Sequence, residues 1–457
     1  MMIRPYGQTA RDARGEMPRD YFELDRRRTN VRVEVVAGTT TFLTMAYIIF
    51  THPNILEPTG MDKTALIAVT CIISALATIA TGLFGKAPIA MAPGLGLNSI
   101  FTVLVVSGKM DWQTALGVVF LSGVFFLVLT LVGLRQRIVE AIPGSLIAAI
   151  GVGIGLFITF IGLTDLGIVV ADPFTMVSAG PITAKVLIGL AGLLTMVFLE
   201  SRNVRGSLLI GIAVSTLLAA ATGQVALPER VISLDVNIRP IAFKLNILGA
   251  LKWGFMGSIF TLMFVDMFDS IGTLVACCHK ADMLDERGKI RGLDRLLGVD
   301  AVATMIGALL GTSTTTSFAE SASGIEQGGR SGLTAVVTGV LFLVALLFIP
   351  VVAMVPKYAT APALIMVGLF MMREVKRIDF GDLAEAFPSF ILIVMIALSY
   401  SISTGLAFGF VSFVVINLVS GRARQVRPAM WVIAVLSVTF LSLEQLPGLI
   451  EWFVVTP

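Results

Sequence analysis

Apolar runs of roughly 17–25 residues, each long enough to cross a hydrocarbon core as a helix, recur along almost the whole chain. They predict helices near residues 33–55, 64–85, 87–107, 112–134, 142–164, 183–200 and 205–223. After a polar interval they resume near 251–277, 296–310, 312–327, 331–352, 358–372, 387–403 and 404–419. A further apolar stretch, near 429–449, is expected to lie at the membrane interface or to cross once more. One run breaks the pattern: GTSTTTSFAESASGIEQGGR, residues 311–330, lies between strongly apolar neighbours. Lipid leaves no backbone polar group satisfied from outside, so this run cannot face hydrocarbon. It is either a water-exposed loop or non-helical backbone lining a polar cavity inside a membrane protein.

Composition agrees with the pattern. The 457 residues are 56% hydrophobic and 14% charged, where a soluble domain carries about a quarter charged residues. The predicted class is an all-α polytopic membrane protein, since the strand alternation of an outer-membrane barrel is missing. Basic residues alternate by loop as cytoplasmic enrichment requires. With the N-terminus inside, the inner segments collect Arg26, Arg27, Arg28 and Arg32, then Lys86, Arg135, Arg137, Arg202 and Arg205. Lys280, Arg287, Lys289, Arg291, Arg295, Arg330, Arg373, Lys376, Arg377, Arg422, Arg424 and Arg427 complete the inner set. Residues 1–30 are charged and lack a signal peptide's apolar centre, so they are expected to form a cytoplasmic tail of a cell-membrane protein. The net charge of +3 gives no reason to expect nucleic acid. Cys71, Cys277 and Cys278 lack a metal-ligand spacing, and His52 and His279 lie far apart, so neither a metal nor a cofactor is expected.

Fourteen predicted segments around a polar interval divide into seven and seven, and the third of each half is irregular. In segment 3, PIAMAPGLGLNSIF places Pro88 and Pro93 where a helix interior tolerates them poorly, with Gly94 and Gly96 just before a helix could restart. In segment 10 the polar run does the same. Both read as a short extended piece followed by a half-helix. An odd number of segments per half inverts the second half relative to the first. Paired interrupted segments in inverted halves point to the binding site of a secondary transporter.

Ionisable residues inside apolar segments are functional candidates. Asp266 and Asp269, three apart, share one face of the eighth segment with Ser270 and Thr273. Like charges disfavour joint ionisation, which suits a proton-linked site. The pair equally fits one acid binding substrate while the other orders the helix. Glu320, at the start of the second half-helix, is the third candidate. Glu326 reads as structural or gating, and Glu200 as interfacial.

Four blocks, RVEVVAGTTTFLTMAYIIFTHPNIL (32–56), PIAMAPGLGLNSIF (88–101), VDMFDSIGTLV (265–275) and GTSTTTSFAESASGIEQGGRSGLTAVVT (311–338), resemble the AzgA-like purine permeases of the nucleobase:cation symporter-2 (xanthine/uracil permease) superfamily. That resemblance implies a core domain of residues 31–134 and 251–352 and a gate domain of residues 135–250 and 353–428, with 429–457 outside both. It further implies inward transport of adenine, guanine or hypoxanthine, generally with protons rather than Na⁺, by a homodimer in the bilayer. Carried over by motif, the binding residues are Asn98, Asp266 and Glu320, near Gly94 and Gly96. Asp269, Ser321, Ser270 and Thr273 support them, with Asp266, Asp269 and Glu320 available for proton coupling. The residues suit such a ligand independently. An ionised carboxylate accepts from two adjacent ring N–H groups, backbone at Phe318 and Ala319 can serve another edge, and Phe318 can stack. A transporter of xanthine- or uracil-type bases, or of a small anion on the same fold, is the alternative, although three acids suit an anion poorly. An enzyme is not expected, because no nucleophile–base pair or metal set is present.

Overall fold

The computed structural model describes residues 21–132, 142–283, 290 and 292–455. Residues 1–20 of the expected tail, and the basic residues Arg135, Arg137, Arg287, Lys289 and Arg291, lie outside the described residues. The helices follow the apolar runs. In the first half they are α1 (Val31–Met45), α2 (Ile48–Leu56), α3 (Lys63–Ala80), α4 (Leu95–Val106), α5 (Trp112–Leu131), α6 (Gly144–Leu166), α7 (Ala184–Ser201) and α8 (Ser207–Ala221). A short α9 (Ile247–Ala250) precedes α10 (Met256–Lys280), α11 (Leu293–Leu310), α12 (Ser321–Glu326), α13 (Gly332–Ala345) and α14 (Ile349–Ala353). The chain closes with α15 (Lys357–Met372), α16 (Leu383–Leu398), α17 (Ile402–Val419) and α18 (Pro428–Val455). Among the described residues nine helical stretches are long and apolar enough to cross a membrane, and four shorter apolar helices accompany them. The last predicted stretch is therefore helical and packs against α17.

Helix starts are set locally. The side chains of Asp62, Asp111, Ser331 and Asp382 each accept a backbone N–H at the start of α3, α5, α13 and α16, satisfying donors that the first turn leaves free. Packing between helices relies on small residues, as close approach in lipid requires. A Cβ on Gly332 would stand 1.9 Å from the Gly82 carbonyl oxygen, so α13 passes directly against the end of α3. One on Gly324 would stand 2.1 Å from Thr41 Oγ1, which fixes α12 against α1.

Two features depart from the expected layout. The first predicted segment is not one uniform helix. At Ala46–Tyr47 the ladder tightens to i→i−3 bonds, Ile49 to Ala46 at 3.1 Å and Phe50 to Tyr47 at 3.1 Å, a local 3₁₀ step of the kind that marks a hinge. A second departure is an antiparallel hairpin of β2 (Val169–Asp172) and β3 (Met176–Ala179) in the connection after α6. Asp172 Oδ1 accepts from the N–H groups of Phe174 and Thr175 at 2.8 and 2.9 Å and closes that turn.

The two irregular segments meet. Strand β1 (Met91–Pro93) pairs antiparallel with β4 (Thr315–Ser317), with Met91 opposite Ser317 and Pro93 opposite Thr315. Each strand is followed by its own helix, β1 by α4 and β4 by α12. Around this crossing, α1, α3, α5, α11 and α13 pack on one another, while α6, α7, α8, α15, α16 and α17 pack among themselves.

Candidate functional site

Non-helical backbone buried in a membrane protein must find partners, and hydroxyl-rich sequence supplies them here. Gly94 N–H donates to the Thr314 carbonyl at 3.1 Å and Phe318 N–H to the Ala90 carbonyl at 2.9 Å, extending the strand pair at both ends. Thr78 Oγ1 accepts from Met91 N–H and donates to its carbonyl, each at 2.9 Å. Thr304 of α11 does the same for Thr315, each at 3.2 Å. Ser321, fully buried, accepts from Ala90 N–H at 3.0 Å and donates to the Phe318 carbonyl at 2.7 Å, so it ties the two halves together. A Cβ at Gly94 would meet Thr316 Cγ2 at 2.9 Å, and one at Gly96 would meet Ile154 of α6 at 2.7 Å. Both glycines thus serve close packing, the first across the strands and the second against a neighbouring helix.

Glu320 stands at the N-cap of α12. Tyr47, from the 3₁₀ step of the first segment, donates its phenol to Glu320 Oε1 at 2.6 Å. Asp269 of α10 lies near the Thr316 side chain and close enough to Glu320 for the two charges to interact. Glu320 and Asp269 are only half-buried, and Ala319 is exposed. From there an uncovered strip runs along both elements: Gly272, Thr273 and Ala276 on α10, and Ala322, Ser323 and Glu326 on α12. It ends at an ion pair between Lys280 and Glu326.

The other candidates are placed differently. Asp266 is 1% exposed, and its Oδ2 lies 3.4 Å from Thr304 Oγ1, whose one proton it shares with the Thr315 carbonyl. The structure brings Asp269 close to Glu320. Ser270 is fully buried with its hydroxyl unbonded. Phe318 is 6% exposed, packed into the apolar interior. Asn98 is sealed: it is fully buried, and its Oδ1 accepts from Ser313 Oγ.

Three residues matter that sequence reasoning left without a role. Tyr47 is one. His52, also fully buried, places Nε2 2.8 Å from Thr312 Oγ1 and lies beside Asn98. Glu34, buried in the first turn of α1, accepts from the N–H groups of Arg330, Ser331 and Thr334 at 2.9, 3.2 and 3.2 Å. It also accepts from the hydroxyls of Ser331 and Thr334 at 2.7 and 2.6 Å, and so clamps the turn between α12 and α13. The only sequence signal for Glu34 is an acid within an apolar run. Among the described residues no group of His, Cys, Asp and Glu could hold a metal ion.

Residues 32–408 match the xanthine/uracil permease model, described as the Permease family. The chain belongs to that family. It is 41% identical over 417 residues to the adenine permease AdeP of Escherichia coli (strain K12), spanning 91% of this chain and 94% of that one. To the guanine/hypoxanthine permease PbuG of Bacillus subtilis (strain 168) it is 38% identical over 424 residues, spanning 90% and 96%. Among solved structures, the transmembrane domain of a cyanobacterium bicarbonate transporter, BicA, aligns with a TM-score of 0.64 at 16% identity, over 83% of this chain and 97% of that one. At that identity the likeness establishes the fold alone. The family read from the four motif blocks holds, and this permease is a multi-pass membrane protein.

Proposed function

We propose that this permease is a secondary transporter of purine nucleobases, with Glu320 and Asp269 as the groups that meet the substrate. The observation that carries the reading is the pair of carboxylates facing one another at the open end of a buried strand crossing. A purine is flat, neutral and edged with adjacent donors and acceptors. An ionised carboxylate takes two N–H groups, and a protonated one both donates and accepts. Backbone at Phe318 and Ala319 serves a further edge. The relatives' names, an adenine permease and a guanine/hypoxanthine permease, support the same substrate class. A small inorganic anion is disfavoured, because nothing cationic stands between the two acids.

The rest of the reading concerns how transport runs. The antiparallel meeting of segments 3 and 10 supports a seven-plus-seven inverted repeat, with a core domain around the crossing and the second packed group as gate. With the N-terminus cytoplasmic, the uncovered strip from Asp269 to Lys280 supports reading this as an inward-open state. Carrying a bare negative charge across lipid is costly, so one proton shared by Asp269 and Glu320 would move with the purine as the core slides against the gate. Asp266 then orders β4 through Thr304, the second of the two roles its position allows. Dimerisation through the gate helices belongs to the same proposal.

The test is thermal stabilisation of the purified protein by adenine, guanine, hypoxanthine, xanthine, uracil, bicarbonate and sulfate. A ligand at one hundred times its Kd stabilises by about 2.7 kcal/mol. Stabilisation by purines with none from the anions is expected, followed by uptake that collapses with a protonophore. Stabilisation by an anion and by no base overturns the reading.

A further inference from the structure

Away from the crossing, a cavity of about 700 Å³ opens where five connections converge. It lies between residues 23–33 before and at the start of α1, the turn at Gly85–Lys86, the end of α10 at 281–283, the start of α11 and the turn after α12. Among the described residues its lining carries six cations, Arg26, Arg27, Arg28, Lys86, Arg295 and Arg330, and two acids, Glu23 and Asp282. Glu23 is already shared three ways. Its carboxylate lies 3.1 Å from Lys86, 3.2 Å from Arg26 and 3.9 Å from Arg27. The Lys86 hydrogen bond, with the charges of Lys86, Arg27 and Arg26, holds it below the usual carboxylate range. Arg330 donates only to the carbonyls of Ile325 and Gly329, at 2.7 and 3.1 Å. Among the described residues Arg28 and Arg295 have no carboxylate partner.

Basic residues gather on cytoplasmic faces without forming sites, so the comparison with the other basic clusters decides what this one means. Arg377 pairs with Glu374 at 3.0 Å, Arg422 pairs with Asp382 at 2.5 Å, and Arg373 and Arg202 lie over the rings of Phe370 and Phe198. Those side chains are matched where they stand. Among the described residues six cations converge on one concave space with two acids, and a concave wall rich in one sign focuses its field on whatever enters. The backbone is bent to the same end. Four of the eight non-glycine residues with positive φ, namely Glu23, Arg28, Lys86 and Asp282, line this cavity.

We infer that this cavity binds a phosphate-bearing anion. Guanidinium groups match phosphate oxygens in pairs, and the space exceeds that of a bare phosphate, within the range of small-molecule pockets. Such a group comes either from a soluble phosphate ester or from the headgroup of an anionic lipid at the inner surface. The bound group joins α1, α10, α11 and the turn that follows α12, so it braces the helices around the crossing without touching the purine.

The experiment uses the full-length protein in discs of phosphatidylcholine, melted with inorganic phosphate or adenosine 5′-monophosphate against chloride at equal ionic strength. A parallel arm replaces part of the phosphatidylcholine with phosphatidylglycerol and adds no phosphate. Saturable stabilisation in the first arm identifies a soluble ligand, and stabilisation in the second alone identifies a lipid headgroup. Either is expected to weaken by roughly tenfold or more in apparent affinity when Arg28→Gln and Arg295→Gln are combined, because two charged hydrogen-bond donors are lost. Arg202→Gln with Arg205→Gln, on the same face outside the cavity, should leave it within about twofold, the scale of surface charge effects. No stabilisation in either arm overturns the inference. So does stabilisation that survives the first double variant, or that the second double variant abolishes equally.

Discussion

The two strand–helix crossings share a backbone design and differ in almost everything chemical. From Ala87 to Phe101 every residue but Gly96 is buried, and the amide of Asn98 on α4 is sealed against Ser313. Its counterpart from Thr315 to Glu326 is buried along the strand and, on α12, at Ser321, Gly324 and Ile325. Past Phe318 it opens at Ala319, carries the half-buried Glu320, and leaves one side of α12, at Ala322, Ser323 and Glu326, partly or fully uncovered. The difference teaches that a paired strand-and-helix scaffold can be laid down twice while the carboxylate chemistry is placed once. The closed crossing holds register for the open one, through Gly94 to Thr314 and Ala90 to both Phe318 and Ser321.

The sharpest way to break this contrast is Glu320→Gln. Gln keeps an acceptor for Tyr47 but removes the charge, and two charge-assisted bonds to a substrate are forfeited. Purine uptake should fall by roughly a hundredfold or more, with the melting temperature little changed. A variant that still transports would leave the open crossing without its claimed function. Next in size is the comparison of the two aspartates. Asp269→Asn should weaken purine affinity by about tenfold or more while the fold is retained. Asp266→Asn should instead cost about 1–3 kcal/mol of stability, as a buried partner of Thr304 is altered. Isothermal titration and thermal melting of both variants separate the outcomes, and a reversed result would put Asp266 back at the substrate.

A third variant tests the link from the first segment. Tyr47→Phe removes one hydrogen bond to a charged group and lets the Glu320 carboxylate turn. Affinity for the preferred purine should drop about tenfold, measurable as a shift in the concentration giving half-maximal uptake. Equal affinity in Tyr47→Phe would mean that the 3₁₀ step at Ala46–Tyr47 shapes the helix only.

Much of this was legible in the sequence, for physical reasons. Lipid imposes long apolar runs, so helices are readable one by one, and a polar run among them announces non-helical backbone. Pro93 and Gly94 betrayed the partner crossing, and Glu320 stood out as an acid where a helix restarts. What could not be read was rotation. Asp266 and Asp269 lie only about 60° apart around α10, and which one is the more exposed is set by tertiary packing that local sequence does not encode. Partners far apart in sequence were equally hidden. Tyr47 reaches Glu320 across 273 positions, His52 reaches Thr312 across 260, and Glu34 caps α13 across 300. The β2–β3 hairpin was missed because its strands are four residues each and half exposed.

The smallest expected effect on transport sharpens the comparison from its closed side. Asn98→Ala deletes the acceptor of Ser313 in a fully buried setting, next to the His52 and Thr312 contact. If Asn98 holds the crossing together, the loss appears as stability, about 1–3 kcal/mol for a buried hydroxyl left without its partner. Purine affinity should then stay within about threefold, since no polar atom of Asn98 reaches the uncovered strip. Asn98→Asp discriminates further, because an acceptor at the Ser313 position survives while a charge is introduced into a sealed space, where an unpaired ion is costly. Under the structural role Asn98→Asp should be the less stable variant, with affinity again little changed in the fraction that folds. If instead Asn98→Ala loses affinity in step with Glu320→Gln while keeping its melting temperature, the purine reaches between both half-helices and the closed crossing opens during the cycle.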